Sequence, residues 1–305
     1  MTKPPIRLWA RGCFGLVLVL LFCQEGMAAT ASEMNTIINL AGKQRMLSQK
    51  MGKEMLWVLL GVRAAENRYN LESTAILFDR TLKGLCHGDS GLGLVQVDHP
   101  DIQGQLLTVR ELWAAFQKYV HAVLTGKMNN ELLLRMAEEN LVLLENMNKA
   151  VEMYVALAGR GEKSGFHARM YTVINLAGRQ RMLSQKMTKE WLLIGMGIDP
   201  VTNRSRLQQT MELFERSLEG LLEGNPGIAL PATRDPTIRQ QLLTIRTIWN
   251  SYRPLLEPAA LEKQRPGLAS ELEKVAQLNL HLLGEVNIAV KMYETMANHP
   301  PAGEN

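Results

Sequence analysis

Cysteine is nearly absent from this chain. Only three occur in 305 residues, and two of them, Cys13 and Cys23, lie within the first 29. That leaves Cys86, so no intramolecular disulfide is available to the rest of the chain. Cys86 aligns with Leu222 in the internal repeat described below, which reads as a small buried apolar side chain rather than a reactive thiol. Net charge is also scarce. The formal value is +4, and residues 1–29 supply half of it, too little to suggest nucleic acid or an anionic membrane as a partner. Beyond residues 13–23 no run is apolar enough to span a bilayer. No alternating pattern is long enough to compete for strand. The six histidines (His87, His99, His121, His167, His281, His299) are scattered and form no His-x3-His pair, and no CxxCH occurs, so neither a metal nor a haem cofactor is expected. No nucleophile with an adjacent base stands out, and an enzyme is not expected.

What the chain does contain is a duplication. Residues 36–51 read TIINLAGKQRMLSQKM and residues 172–187 read TVINLAGRQRMLSQKM, with fourteen of sixteen positions identical. The offset of 136 persists downstream. Phe78 answers Phe214, Pro100 answers Pro236, residues 105–108 answer 241–244, and Trp113 answers Trp249. It becomes 139 near the end, where Asn148, Met153 and Tyr154 answer Asn287, Met292 and Tyr293. Three extra residues are therefore expected within the Pro-containing stretch 257–267. A core tolerates exchange among Leu, Ile and Met, so packing alone does not explain why Asn, Gly, Gln, Arg, Ser and Lys recur in register. Both copies are expected to use the same polar groups for the same task.

Leu- and Met-rich helical periodicity with Gly and Pro punctuation predicts an all-α chain of two tandem up-down four-helix bundles. The expected helices are 33–67, 71–87, 100–125 and 129–158, then 165–196, 200–223, 235–256 and 267–297. Expected units are a signal peptide at 1–29, a first module at 30–160 and a second at 165–298. Lys3, Arg7 and Arg11 precede the short run 13–23, and small residues follow at 26–29, the pattern of a cleavable secretory signal. The expected location is the periplasm; a retained membrane anchor is the weaker reading, and Phe22 argues against lipidation of Cys23. The short Gly-rich junction at 159–165 would return the chain so that the two repeated helices face each other.

On a helix, Asn39, Gly42, Met46, Gln49, Lys50 and Lys53 share one sector with Arg45 at its edge, while Leu40, Leu47 and Met51 point away. The second copy offers Asn175, Gly178, Arg181, Ser184, Gln185, Lys186 and Lys189, and Ser48 lies beside the first sector. The block contains no acidic residue. Two such faces brought together would gather as many as four cations, which a small anion would compensate. The rival readings are a solvated basic face and a protein-docking surface.

The pattern N-x-A-G-x-x-R-M-x-S-x-[RK], met at residues 39–50 and 175–186, resembles the P-box of the NarX/PilJ-type sensor domain of nitrate/nitrite sensor kinases and type IV pilus chemotaxis-like transducers. The resemblance implies a helical bundle holding nitrate or nitrite between the first helices of two subunits. The implied ligand-binding residues are Arg45, Lys50, Arg181 and Lys186, with Gly42 and Gly178 allowing close approach and Ser48, Ser184, Asn39 and Asn175 beside them. Lys stands at the later basic position where nitrate sensors carry Arg, which weakens bidentate recognition. Family sensors also span the membrane and carry a signalling domain, and neither is expected here. The chain would then report to a membrane sensor kinase or chemotaxis-type transducer, with a homodimer as a further partner. The alternative is a ligand-free interaction module linked to pilus or chemotaxis-like signalling.

Overall fold

The computed structural model describes residues 29–161, 165–228, 230–261 and 269–300. The expected signal peptide falls almost wholly outside them, as does most of the expected insertion at 257–267. Among the described residues eight long helices follow one another: α1 (Ala31–Leu59), α2 (Ala64–His87), α3 (Pro100–Leu124), α4 (Asn130–Gly161), α5 (Gly165–Gly195), α6 (Pro200–Glu223), α7 (Pro236–Ala260) and α8 (Ala269–Asn298). Among the described residues, β structure is limited to the isolated bridges Asp89–Leu94 and Asn225–Leu230. None of the described helices is long and apolar enough to cross a membrane.

Local chemistry sets these boundaries. Thr30 and Glu33 form a reciprocal capping box at the start of α1. Pro100, Pro200 and Pro236 occupy first-turn positions, where a missing N–H does no harm. One expected boundary is corrected. The first helix stops at Leu59, not near Asn67, because Gly61 takes a left-handed φ of 74° and Val62 N–H donates back to the Trp57 carbonyl (3.1 Å); Arg63, with a left-handed φ of 44°, then opens the next helix. The second copy makes the same turn through Asp199 (φ 38°), but there Pro200 announces it; Ala64 stands at the matching place in the first copy.

Within each module the helices pack in a ring, α1–α2–α3–α4 and α5–α6–α7–α8, and α1 lies along α5. The repeat reproduces its internal bonds. Gln44 Nε2 donates to the Phe78 carbonyl (2.8 Å), as Gln180 does to Phe214 (2.9 Å). Trp113 Nε1 donates to Asp79 (3.1 Å), as Trp249 does to Glu215 (3.0 Å). Cys86 is buried, and burial pushes its thiol pKa up, as expected for an inert core residue. The loop after α6 depends on Gly224, whose φ is 86°; a Cβ there would sit 2.9 Å from the Ala232 nitrogen. Gly224→Ala is expected to cost about 2 kcal/mol or more by urea denaturation. An unchanged midpoint would contradict this reading of the loop.

Candidate functional site

The helices α1 and α5 run parallel, so each repeated block meets its own counterpart across the seam. α1 is buried on nearly every face because α2, α4 and α5 all cover it. Leu40 is accordingly only partly buried, while Arg45 (0% exposed) and Arg181 (4%) lie inside. The basic face is therefore neither solvated nor free to dock a partner.

Two polar layers cross the seam. In the first, Arg45 Nη2 donates to Asn175 Oδ1 (2.8 Å) and more weakly to the Asn175 carbonyl (3.3 Å). Arg181 Nη2 makes the mirrored bonds to Asn39 Oδ1 (2.8 Å) and its carbonyl (3.3 Å). Arg45 Nη1 also donates to Asn148 Oδ1 (2.8 Å). Gly42 and Gly178 stand where the two guanidiniums approach. A Cβ on Gly42 would lie 3.3 Å from Arg45 Nη2 and 3.9 Å from Arg181 Nη2, and one on Gly178 would see the same distances exchanged. Larger residues would fill the space between the guanidiniums. The Nε of each arginine is buried without a hydrogen-bond partner among the described residues, an uncommon condition for a buried donor.

The charge in this layer is uncompensated at contact range. Among the described residues no carboxylate forms an ion pair with Arg45 or Arg181. The nearest are one amide away: Asn148 Nδ2 donates to Glu152 (2.7 Å) and Asn39 Nδ2 to Glu294 (3.0 Å). Burial, then Arg179 and Arg181, depress the Arg45 pKa to about 9, against an opposing contribution from Glu152. Burial lowers Arg181 to about 10, opposed by Glu294. Both stay protonated at neutral pH, so two like charges share a dry volume, at a cost of a few kcal/mol for an effective dielectric near 20.

The second layer lies further along the seam. Lys53 Nζ donates to Gln185 Oε1 and Asn279 Oδ1, both at 2.7 Å. Lys189 Nζ donates to Gln49 Oε1 (2.7 Å) and Asn140 Oδ1 (2.6 Å). Both ammonium groups are buried on neutral amides alone. Burial is the main reason their pKa values fall to about 8 for Lys53 and about 7 for Lys189.

Two expectations about the block are corrected. Lys50 and Lys186 do not join the arginines; they turn toward α2 and α6, pairing with Glu54 and Glu190 one turn on and donating to Thr74 and Thr210 (both 2.8 Å). Their place four residues before a buried carboxylate decides this. Ser48 and Ser184 donate to the carbonyls of Arg45 and Arg181 (both 2.8 Å) and so bind their own helix. Among the described residues, the buried cations that face the seam are Arg45, Arg181, Lys53 and Lys189, with the half-buried Lys43 and Arg179 near the arginine pair. The importance of the Lys53/Lys189 layer and of its supports Asn140 and Asn279 was missed, although those asparagines repeat at the offset of 139.

The family model described as "Type IV pili methyl-accepting chemotaxis transducer N-term" (PilJ) matches residues 27–137 and again 169–275. The chain belongs to the PilJ family. It does so twice over, one copy per module, and that membership makes it a sensor-type module of the chemotaxis-transducer kind. It is 35% identical over 126 residues to the methyl-accepting chemotaxis protein McpN of Pseudomonas aeruginosa, a match covering 41% of this chain and 22% of McpN. The chain thus spans about a fifth of that relative's length. A solved structure of the ligand binding domain of the P. aeruginosa nitrate receptor McpN is 34% identical, with a TM-score of 0.36, over 41% of this chain and 94% of that domain. Among the described residues, no group of three or more His, Cys, Asp or Glu could hold a metal ion.

Proposed function

We propose that this chain is a non-enzymatic PilJ-type sensor that binds one small planar oxyanion, nitrate first and nitrite second, between Arg45 and Arg181. The observation that carries the reading is the meeting of two buried guanidiniums over Gly42 and Gly178, with no carboxylate among the described residues paired to either. An anion there would accept from donors that amides now hold only in part, and would remove the like-charge repulsion. Asn39 and Asn175 orient the arginines; Lys50, Lys186, Ser48 and Ser184 stabilise the surrounding helices. The 35% identity to McpN, a nitrate receptor, supports the choice of ion.

In this reading the chain is exported to the periplasm. Pairing of α1 with α5 supplies within one chain what two subunits would otherwise supply, so the site is complete without a homodimer. Ligand state would be reported to a membrane partner, a chemotaxis-type transducer or sensor kinase. Isothermal titration with nitrate, nitrite and chloride tests the reading. Saturable heat with one oxyanion is expected, absent from Arg45→Ala/Arg181→Ala. No heat with any of the three, from a chain folded by circular dichroism, would leave the ligand-free interaction module, with the repeated block as a packing seam, as the better account.

A further inference from the structure

The seam is shared by the two modules, but one end of the second module carries different residues from the matching end of the first. A groove of about 1100 Å³ opens there between the start of α5, the segment leading into α7 and the end of α8. Its apolar wall includes Phe166, Met170, Ile238, Met292 and Met296, with Ile288 47% exposed beside them. Its floor carries a hydroxyl pair, Thr233 Oγ1 and Tyr293 Oη, 2.5 Å apart. Arg169, Arg234 and Lys291 line it as well, together with His299 and Asp235, whose carboxylate caps α7 by accepting from the Thr237 and Ile238 amides (both 2.9 Å).

The repeat allows each of these positions to be compared with its twin. At the offset of 136, Arg169 answers Glu33 and Arg234 answers Asp98; at 139, Lys291 answers Glu152. Three acidic positions of the first module are basic in the second. Thr237 further replaces Asp101, Thr233 replaces the buried Val97, and Ile288 replaces Lys149; in the other direction Asp235 replaces His99 and His299 replaces Arg160, and the rim still goes from net negative to net positive. The sign of the rim, the polarity of the floor and the apolar character of one wall have all changed together, while the P-box face stayed nearly identical. Scattered surface drift would not concentrate three charge reversals of one direction on the lining of one concavity. Among the described residues, Arg234 and Lys291 form no ion pair.

We propose that this groove is a second binding site, specific to the second module, for an amphipathic organic anion: a compact hydrocarbon body bearing a carboxylate or sulfonate. The volume suits a small-molecule ligand. The apolar wall would take the hydrocarbon, and Arg234 and Lys291 at the rim would take the charge. The site is separate from the arginine pair on the seam and does not depend on it.

The test uses the full chain and the fluorescence of anilinonaphthalene sulfonate, with decanoate as competitor and decanol as its neutral control. Saturable probe binding, displaced by decanoate but far less by decanol, is expected. Arg234→Asp/Lys291→Glu restores the charges of the first module at two exposed positions. It should weaken binding about tenfold or more without altering the thermal midpoint or the nitrate titration. Ile288→Lys, also exposed, should weaken it independently. Equal affinity in the charge-reversed variant would overturn the proposal, as would absence of saturable binding. Binding seen only with vesicles of anionic lipid, and not with monomeric decanoate, would instead make this face a membrane surface and would equally overturn it.

Discussion

The stability of the folded chain is expected to rise by several kcal/mol as pH increases from about 7 to about 10, and Lys53→Met/Lys189→Met should remove most of that rise. The argument is one of linkage. Buried Lys189 and Lys53 titrate near 7 and 8, whereas an unfolded lysine titrates near 10.5. Between those values the unfolded chain binds more protons than the folded one, so stability increases with pH there. Below about pH 7 both lysines are charged in both states, and the full penalty of burying them applies. Neighbouring charges act in both directions: Glu54 and Glu190 favour the charged lysines and temper the effect, whereas Lys50 near Lys53, and Lys186 and Arg206 near Lys189, add to it. Above pH 10 the rise should level off. Tyr154, Tyr252 and Tyr293 are buried with pKa values raised by desolvation, so the unfolded chain then loses protons that the folded one keeps, while Arg45 and Arg181, depressed by burial, act in the opposite sense. Urea denaturation at half-unit pH steps would reveal the rise. A flat profile in the unmodified chain would contradict the two-lysine layer.

The second large effect is expected from Gly42→Leu/Gly178→Leu. Leucine is a better helix former than glycine by roughly 0.8 kcal/mol per site, so helicity should be kept. The added side chains would start 3.3 Å from the guanidinium nitrogens and occupy the space between them. Oxyanion affinity should fall by about a hundredfold or more, equivalent to about 3 kcal/mol, while circular dichroism remains that of a folded helical chain. Titration of this variant at a loss of less than about tenfold would place the anion elsewhere on the seam.

Much of this architecture is legible without coordinates, because duplication acts as an internal control. Eight helices, their punctuation by Gly and Pro and the facing of the two repeated blocks all follow from one chain. The exception among the helix ends is instructive: the turn at Gly61 and Arg63 is left-handed and no proline follows it, whereas Pro200 follows the same turn at Gly197 and Asp199 in the second copy. Within the block, sector geometry groups residues by angle but cannot say which helix each will meet. α1 has neighbours on several sides. Lys50 and Lys53, three positions apart, therefore serve different contacts, the first a carboxylate within its module and the second an amide across the seam. Ser48 recurs because it ties down its own helix, and Gln44 because it ties α1 to α2. Recurrence identified residues with a shared task, but several of those tasks are structural.

The central claim is that both halves of the chain contribute to one oxyanion site. Nitrate titration of the single variant Arg45→Ala tests it most directly. A shared site predicts one ion per unmodified chain and no residual saturable binding in the variant, although Arg181 and its partner Asn39 are intact. Half the original stoichiometry at unchanged affinity would mean two independent pockets, and would contradict the account.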